Sequence, residues 1–257
     1  MTIATKPSAN PILAIEALGQ SIWMDNLARD LIESGELAQL IETKGLLGVT
    51  SNPAIFEKAI VGNKVYDTAI DAGIKAKKSL MEIYESLVFE DICNACDIFR
   101  GVYDKSNALD GYISIEVPPT LAANTADTIT EAKRYNKVLA KPNVMIKIPG
   151  TPEGLAAVTE VIAAGINVNV TLLFSLQSYI DTAWAYITGL EKLAATGADI
   201  SKVASVASFF LSRIDANIDA KLDKKIAEPG ISDATKAKLE GIKGKVNSLA
   251  NSKFRYA

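Results

Sequence analysis

Histidine is missing altogether from this sequence, and cysteine occurs only twice. Without imidazole, Ser-His-Asp and Cys-His nucleophile systems, the usual His-bearing metal sites and His-based proton transfer near neutral pH are all excluded. General acid and base work falls to Asp, Glu, Lys or Tyr. Two cysteines in 257 residues make no disulfide framework, which agrees with a reducing compartment. No apolar run approaches the roughly 20 residues of a membrane helix, and the opening MTIATKPSAN lacks the basic start and apolar centre of a signal peptide. A cytoplasmic protein without membrane partners is therefore expected. Blocks of consecutive Lys or Arg are lacking too, and 27 basic residues face 30 acidic ones for a net charge of -3. A nucleic-acid surface needs a concentrated cationic stripe, so no nucleic-acid partner is expected. Self-association into a homo-oligomer is left open.

What remains is an ordinary globular composition, 49% hydrophobic and 22% charged. The length suits one or two domains, and α/β barrels run to about 250 residues as one. Short β-like runs alternate with long helical patterns, the signature of βαβ units and a mostly parallel sheet. The runs are 21–25 (SIWMD), 46–50 (LLGVT), 111–117 (GYISIEV), 143–148 (NVMIKI), 166–174 (INVNVTLLF) and 203–210 (VASVASFF). Between them, Thr151-Pro152-Glu153 combines a hydroxyl N-cap, a proline at the first helical position and acid in the first turn, with Gly165 at the end. Residues 80–103 carry Ile83, Leu87, Ile92, Cys96, Phe99 and Tyr103 near a 3.6 period, which predicts an amphipathic helix. No linker or internal repeat interrupts the alternation, so a single domain over 1–257 is expected. A parallel barrel closes with eight strands. Six runs, followed by helical patterns at 213–227 and 233–250, leave either an open sheet or a barrel short of closure.

Lys147 stands alone among Val144, Met145, Ile146 and Ile148. Desolvation lowers the pKa of a lysine, and an amine so treated becomes a nucleophile near pH 7 that forms a Schiff base with a carbonyl. The plain alternative is a lysine reaching the strand end and water. Other runs also break their apolar character near the C-terminal end: Asp25 closes SIWMD, Asn52 follows LLGVTS, Glu116 sits in ISIEV and Ser208 in SVASFF. In the fifth run Asn167, Asn169 and Thr171 alternate with apolar residues, which puts three polar side chains on one face. Alone, Asp25 could be a helix cap and Asn52-Pro53 a turn. Strand C-termini converge on the ligand site of a parallel sheet, so together these residues describe one amine, two carboxylates and several amides and hydroxyls around one pocket. That set suits carbonyl chemistry through an imine.

With GVTSNPAIF, MIKIPGT, NVNVTLLFS and SFFLSRID in this order, residues 12 to about 245 resemble transaldolase in its longer bacterial form. The resemblance implies a cofactor-free (β/α)₈ TIM-barrel enzyme of the pentose phosphate pathway. Its substrates would be sugar phosphates: a dihydroxyacetone unit would pass from sedoheptulose 7-phosphate or fructose 6-phosphate to glyceraldehyde 3-phosphate or erythrose 4-phosphate. By motif, Lys147 would form the Schiff base and Asp25 would serve the C4 hydroxyl as acid and base. Glu116, helped by Thr171, would handle water and protons. Asn52, Asn169 and Ser208 would hold the dihydroxyacetone hydroxyls, Phe210 would shape the wall, and Arg213 would contact the phosphate, a role suited to its fork of donors.

The family's barrel continues through two more strands and a helix where this sequence reads NSLANSKFRYA. The expectation is therefore a barrel with about six of eight strands, an exposed sheet edge, and either a working enzyme or a truncated, inactive fragment. A related class I aldolase releasing free dihydroxyacetone is the nearest rival. Pyridoxal-phosphate, dinucleotide and P-loop sites lack their Gly-rich cradles. Cys93 and Cys96 match C-x-x-C but fall mid-helix, where two packed thiols are expected. Trp23 and Trp184 are expected to serve packing, and Lys221, Lys224 and Lys225 with Asp223 and Glu228 a solvated helix face.

Overall fold

Every one of the six apolar runs forms a strand. The computed structural model describes residues 10–245. The readings of the first nine residues and of the tail after 245, including the end of the 233–250 helical pattern, lie outside the described residues. The strands are β1 (Trp23–Met24), β2 (Gly48–Thr50), β3 (Tyr112–Glu116), β4 (Val144–Pro149), β5 (Val168–Leu173) and β6 (Ser205–Phe209). They pair in parallel in chain order, β1 to β6. This is an α/β fold with the sequential, helix-linked order of a (β/α)₈ barrel, six of whose strands are present among the described residues.

Helix α1 (Pro11–Glu16) precedes β1. Helices α2 (Arg29–Glu33) and α3 (Glu36–Lys44) lead to β2, and α4 (Pro53–Ile60), α5 (Asp67–Lys75) and α6 (Leu80–Lys105) lead to β3. Single crossovers follow: α7 (Thr125–Leu139), α8 (Pro152–Ala163) and α9 (Leu176–Ala194), with α10 (Ser212–Ile226) and α11 (Asp233–Ile242) after β6. Among the described residues no helix is long and apolar enough to cross a membrane.

Local chemistry explains these elements. The β4 strand is buried at every position, the environment of a parallel strand covered on both faces, so its sequence is apolar except at Lys147. On α8, the Gly154 N–H donates to Thr151 Oγ1 at 2.9 Å and Pro152 opens the first turn; the chain leaves the helix through Gly165 at φ 76°. On α6, Ser79 and Glu82 form a capping box, and the six apolar residues expected on its inner face are all buried. One core runs from Leu27 and Val49 through Ile146 to Leu173 and Ala185, with Ala207 and Phe209 packed against it.

Between α2 and α6 lies a buried ionic knot. Arg29 Nε donates to Asp91 Oδ1 at 2.8 Å, and the Tyr66 hydroxyl donates to Asp91 Oδ2 at 2.8 Å. Asp91 is wholly buried; burial pushes its carboxyl above the usual range, against the pull of Arg29 and Tyr66.

Three expectations outside the site are decided here. Cys96 is buried and Cys93 partly so on α6, and burial pushes both thiols up, as packed thiols require. Trp184 is not a packing residue, for it is 62% exposed. The buried face of α9 consists of Thr182, Ala185 and Gly189 with Leu193, and Trp184 turns away from it. Lys221, Lys224, Lys225, Asp223 and Glu228 are exposed on and just past α10.

Candidate active site

The site is built from a row across the sheet. Glu116 on β3 pairs with Lys147 on β4, which pairs with Asn169 on β5. Side chains in register on parallel neighbours point to one face, so a carboxylate, an amine and an amide stand side by side. Lys147 is 5% exposed, and an ammonium so placed needs partners. It has two: Nζ donates to the Ser51 carbonyl at 3.2 Å and stands 3.5 Å from Glu116 Oε2. Burial pushes the Glu116 carboxyl above the usual carboxylate range. The Lys147 ammonium opposes this, and the charge of Asp25 adds to it.

A second set of contacts fixes the amide. Asn169 is buried; its Nδ2 donates to Ser114 Oγ at 3.1 Å, and its Oδ1 accepts from the Ser208 hydroxyl at 2.8 Å. Ser51 Oγ donates to the Ser114 carbonyl at 2.6 Å. The two chains meet at Ser51, whose carbonyl holds Lys147, so β2 to β6 are tied together beneath the amine.

Above them opens a cavity of about 570 Å³. Seven of the nine expected site residues line it: Asp25, Asn52, Lys147, Asn169, Ser208, Phe210 and Arg213. Asp25 lies just past β1 and is exposed; α2 takes Ala28 as its N-cap, so the carboxylate has no capping duty. Asn52 does cap α4, accepting the Ile55 N–H on Oδ1 at 3.0 Å, which leaves its Nδ2 for a ligand. Arg213 sits in the first turn of α10 with its guanidinium 4.5 Å from the Phe210 ring centre. The remaining two residues are off the cavity wall. Glu116 reaches the site through its ion pair with Lys147 and otherwise faces a narrow cleft beside Tyr84 and Tyr135. Thr171 is buried beside Pro149, and its hydroxyl has no hydrogen-bond partner. Asn167, on the same face in the sequence pattern, is a clamp at the opposite end of the strands. It donates to the Pro142 carbonyl and accepts from the Ala204 N–H.

Sequence reasoning missed the Ser51 carbonyl, Ser114, Thr50 and Trp23. Thr50 lines the cavity, and its buried Oγ1 has no partner; its place beside Asn52 at the end of a strand was the available signal. Trp23, expected to pack, does pack against the Tyr103, Tyr112 and Met145 cluster, but it also lines the cavity, two residues before Asp25. The backbone carbonyl carries no side-chain signal at all.

A sheltered amine flanked by a carboxylate, with amides, hydroxyls and a guanidinium around an open cavity, can condense with a carbonyl, hold polyhydroxy groups and bind an anion. Residues 22–246 match the family model described as transaldolase/fructose-6-phosphate aldolase. The chain belongs to this family. Among transaldolase relatives, it is 66% identical over 248 residues to one named transaldolase from Trichodesmium erythraeum (strain IMS101), a match covering 96% of this chain and 64% of that protein. A protein named transaldolase 2 from Nostoc sp. (strain PCC 7120 / SAG 25.82 / UTEX 2576) is 62% identical over 248 residues, covering 96% of this chain and 65% of its own length. The chain thus spans a little under two thirds of these transaldolase relatives.

Proposed function

We propose that this chain is a transaldolase, moving a dihydroxyacetone unit from a ketose phosphate to an aldose phosphate through a Schiff base on Lys147. The observation that carries this reading is the Lys147 amine, 5% exposed and 3.5 Å from Glu116, at the base of a cavity lined by seven residues of one functional set.

In this reading the Lys147 amine adds to the ketose C2 carbonyl, and Glu116 moves the protons by which the carbinolamine loses water. Asp25 takes the proton of the C4 hydroxyl as the bond between C3 and C4 breaks and the aldose phosphate departs. The bonding pair stays on C3 and is delocalised into the protonated imine, an electron sink. Attack of C3 on the acceptor aldehyde forms the new bond, Asp25 returns its proton, and water releases the product and frees Lys147. Asn52, Asn169 and Ser208 hold the donor's hydroxyls, Phe210 walls the cavity and Arg213 takes the phosphate. Thr171, buried beside Pro149, has the role of steadying the water that Glu116 uses. No residue set in this scheme calls for a cofactor.

We also read the chain as one cytoplasmic domain, supported by one core cluster to which residues of all six strands contribute and by two free cysteines. The relatives' names favour transfer over release of free dihydroxyacetone. Borohydride reduction in the presence of fructose 6-phosphate tests the central step. A dihydroxyacetone-sized adduct on the peptide containing Lys147, missing in Lys147→Ala, is the expected result; a folded protein that gives none sinks the reading. Product formation only when an acceptor aldehyde is present separates transferase from aldolase.

A further inference from the structure

Outside the reacting groups, one arrangement near the cavity mouth has no assigned purpose. Strand β5 loses its register with β6 between Val170 and Leu173, and within that bulge Leu172 takes φ 64°, the left-handed region that a leucine enters only at a cost. Just beyond, the Phe174 ring stacks on Phe210 with centroids 5.3 Å apart and planes 22° from parallel. Phe210 in turn carries the Arg213 guanidinium 4.5 Å from its ring centre. Phe174 is 47% exposed and does not line the cavity, so core packing does not explain it. A bulge re-aims the side chains that follow it, and here the ring that follows it stacks on the ring that carries the arginine.

We propose that Phe174 is a positioning residue for anion binding: through Phe210 it holds the Arg213 guanidinium toward the cavity, and the Leu172 bulge exists to place it. The inference rests on the preceding reading only for the identity of the anion, a sugar phosphate. A long, exposed arginine samples many rotamers, and stacking restricts it to those that face the cavity before the anion arrives, which raises affinity without a new contact. An offset aromatic stack and an exposed cation–π contact are each modest, so a change of about fivefold is expected.

The test uses inorganic phosphate as the probe and needs no catalysis. Arg213 is modified by phenylglyoxal at increasing phosphate, and its peptide is followed by mass spectrometry in the wild type, Phe174→Ala and Phe174→Tyr. The half-protecting phosphate concentration should rise about fivefold in Phe174→Ala and return in Phe174→Tyr, whose ring still stacks. In parallel, the efficiency of borohydride trapping at Lys147 with fructose 6-phosphate, relative to that with dihydroxyacetone, should fall by a similar factor in Phe174→Ala alone. Equal protection in wild type and Phe174→Ala, or no protection by phosphate in the wild type, overturns the inference. Absence of any Lys147 adduct, with the protection pattern as expected, leaves the positioning role standing and removes the imine reading instead.

Discussion

Lys147 Nζ is held between the Ser51 carbonyl, at 3.2 Å, and Glu116 Oε2, at 3.5 Å. The carbonyl fixes where the amine sits, while the carboxylate is close enough to exchange protons with whatever the amine becomes. Glu116→Gln keeps the shape and removes the carboxylate to which the proposed function gives the proton transfers. Imine formation should then slow by a factor of about 10² to 10⁴, the range for a positioned general acid or base, while the adduct still forms on Lys147. Rapid-quench trapping with fructose 6-phosphate measures this, and an unchanged rate would assign the proton transfers elsewhere.

The same carboxylate leaves a mark on stability. Burial raises the Glu116 pKa in the folded protein, against Lys147 and with Asp25, and Asp91 is raised by burial in the same sense. From the ordinary carboxylate range, about 4.3 for Glu, up to the raised folded values, the native state binds more protons than the unfolded chain. Stability therefore falls as pH rises through that window. Urea midpoints measured from pH 4 upward should show a shallower decline in Glu116→Gln than in the wild type. A steeper decline in the variant would contradict the assignment.

Much of the fold and of the site was legible in the sequence. The six runs are the six strands because buried parallel strands need apolar residues on both faces, and Lys147 stood out as the break in such a run. Period-two alternation gave the shared face of Asn169 and Thr171, but a face is not a depth. Asn167 lies at the far end of the strands and Thr171 is buried off the cavity. Alternation also ends where the bulge begins, so the exposure of Leu172 and Phe174 could not be read from it. Trp184 misled because an apolar neighbourhood in sequence says nothing of helix face; Ala185 points inward, and its neighbour points out. The Ser51 carbonyl was invisible because every residue has one.

The Arg29, Tyr66 and Asp91 knot predicts a large single-site effect far from the chemistry. Arg29 is 7% exposed, and its buried charge loses its main partner in Asp91→Ala. Removing one member of a buried pair costs about 3–5 kcal/mol. Denaturant unfolding should show that loss, with the Lys147 adduct still formed below the transition. A loss under about 1 kcal/mol would mean that Glu90, whose Oε2 stands 2.7 Å from the Arg29 guanidinium, holds the charge without Asp91.

Gly48 and Trp23 make the last prediction, which concerns how a two-residue strand holds the Asp25 carboxylate. The Trp23 ring lies on Gly48 so closely that a Cβ there would stand 2.5 Å from Cδ2 and Cε2 of the indole. The indole N–H also reaches Asp110 Oδ1 at 3.4 Å, and the Ser21 hydroxyl holds Asp110 Oδ2 at 2.8 Å. These contacts fix the start of β1, and Asp25 follows two residues later. Gly48→Ala should displace the ring, lower stability by about 1–3 kcal/mol, and reduce transfer more than it reduces sugar-phosphate binding, because Asp25 moves and Arg213 does not. Trp23→Leu removes the obstructing ring, so in that background Gly48→Ala should cost little. The two substitutions are then strongly non-additive in a double-mutant cycle. Simple additivity in urea unfolding would show that the ring has room to move and that the position of Asp25 is set by something else.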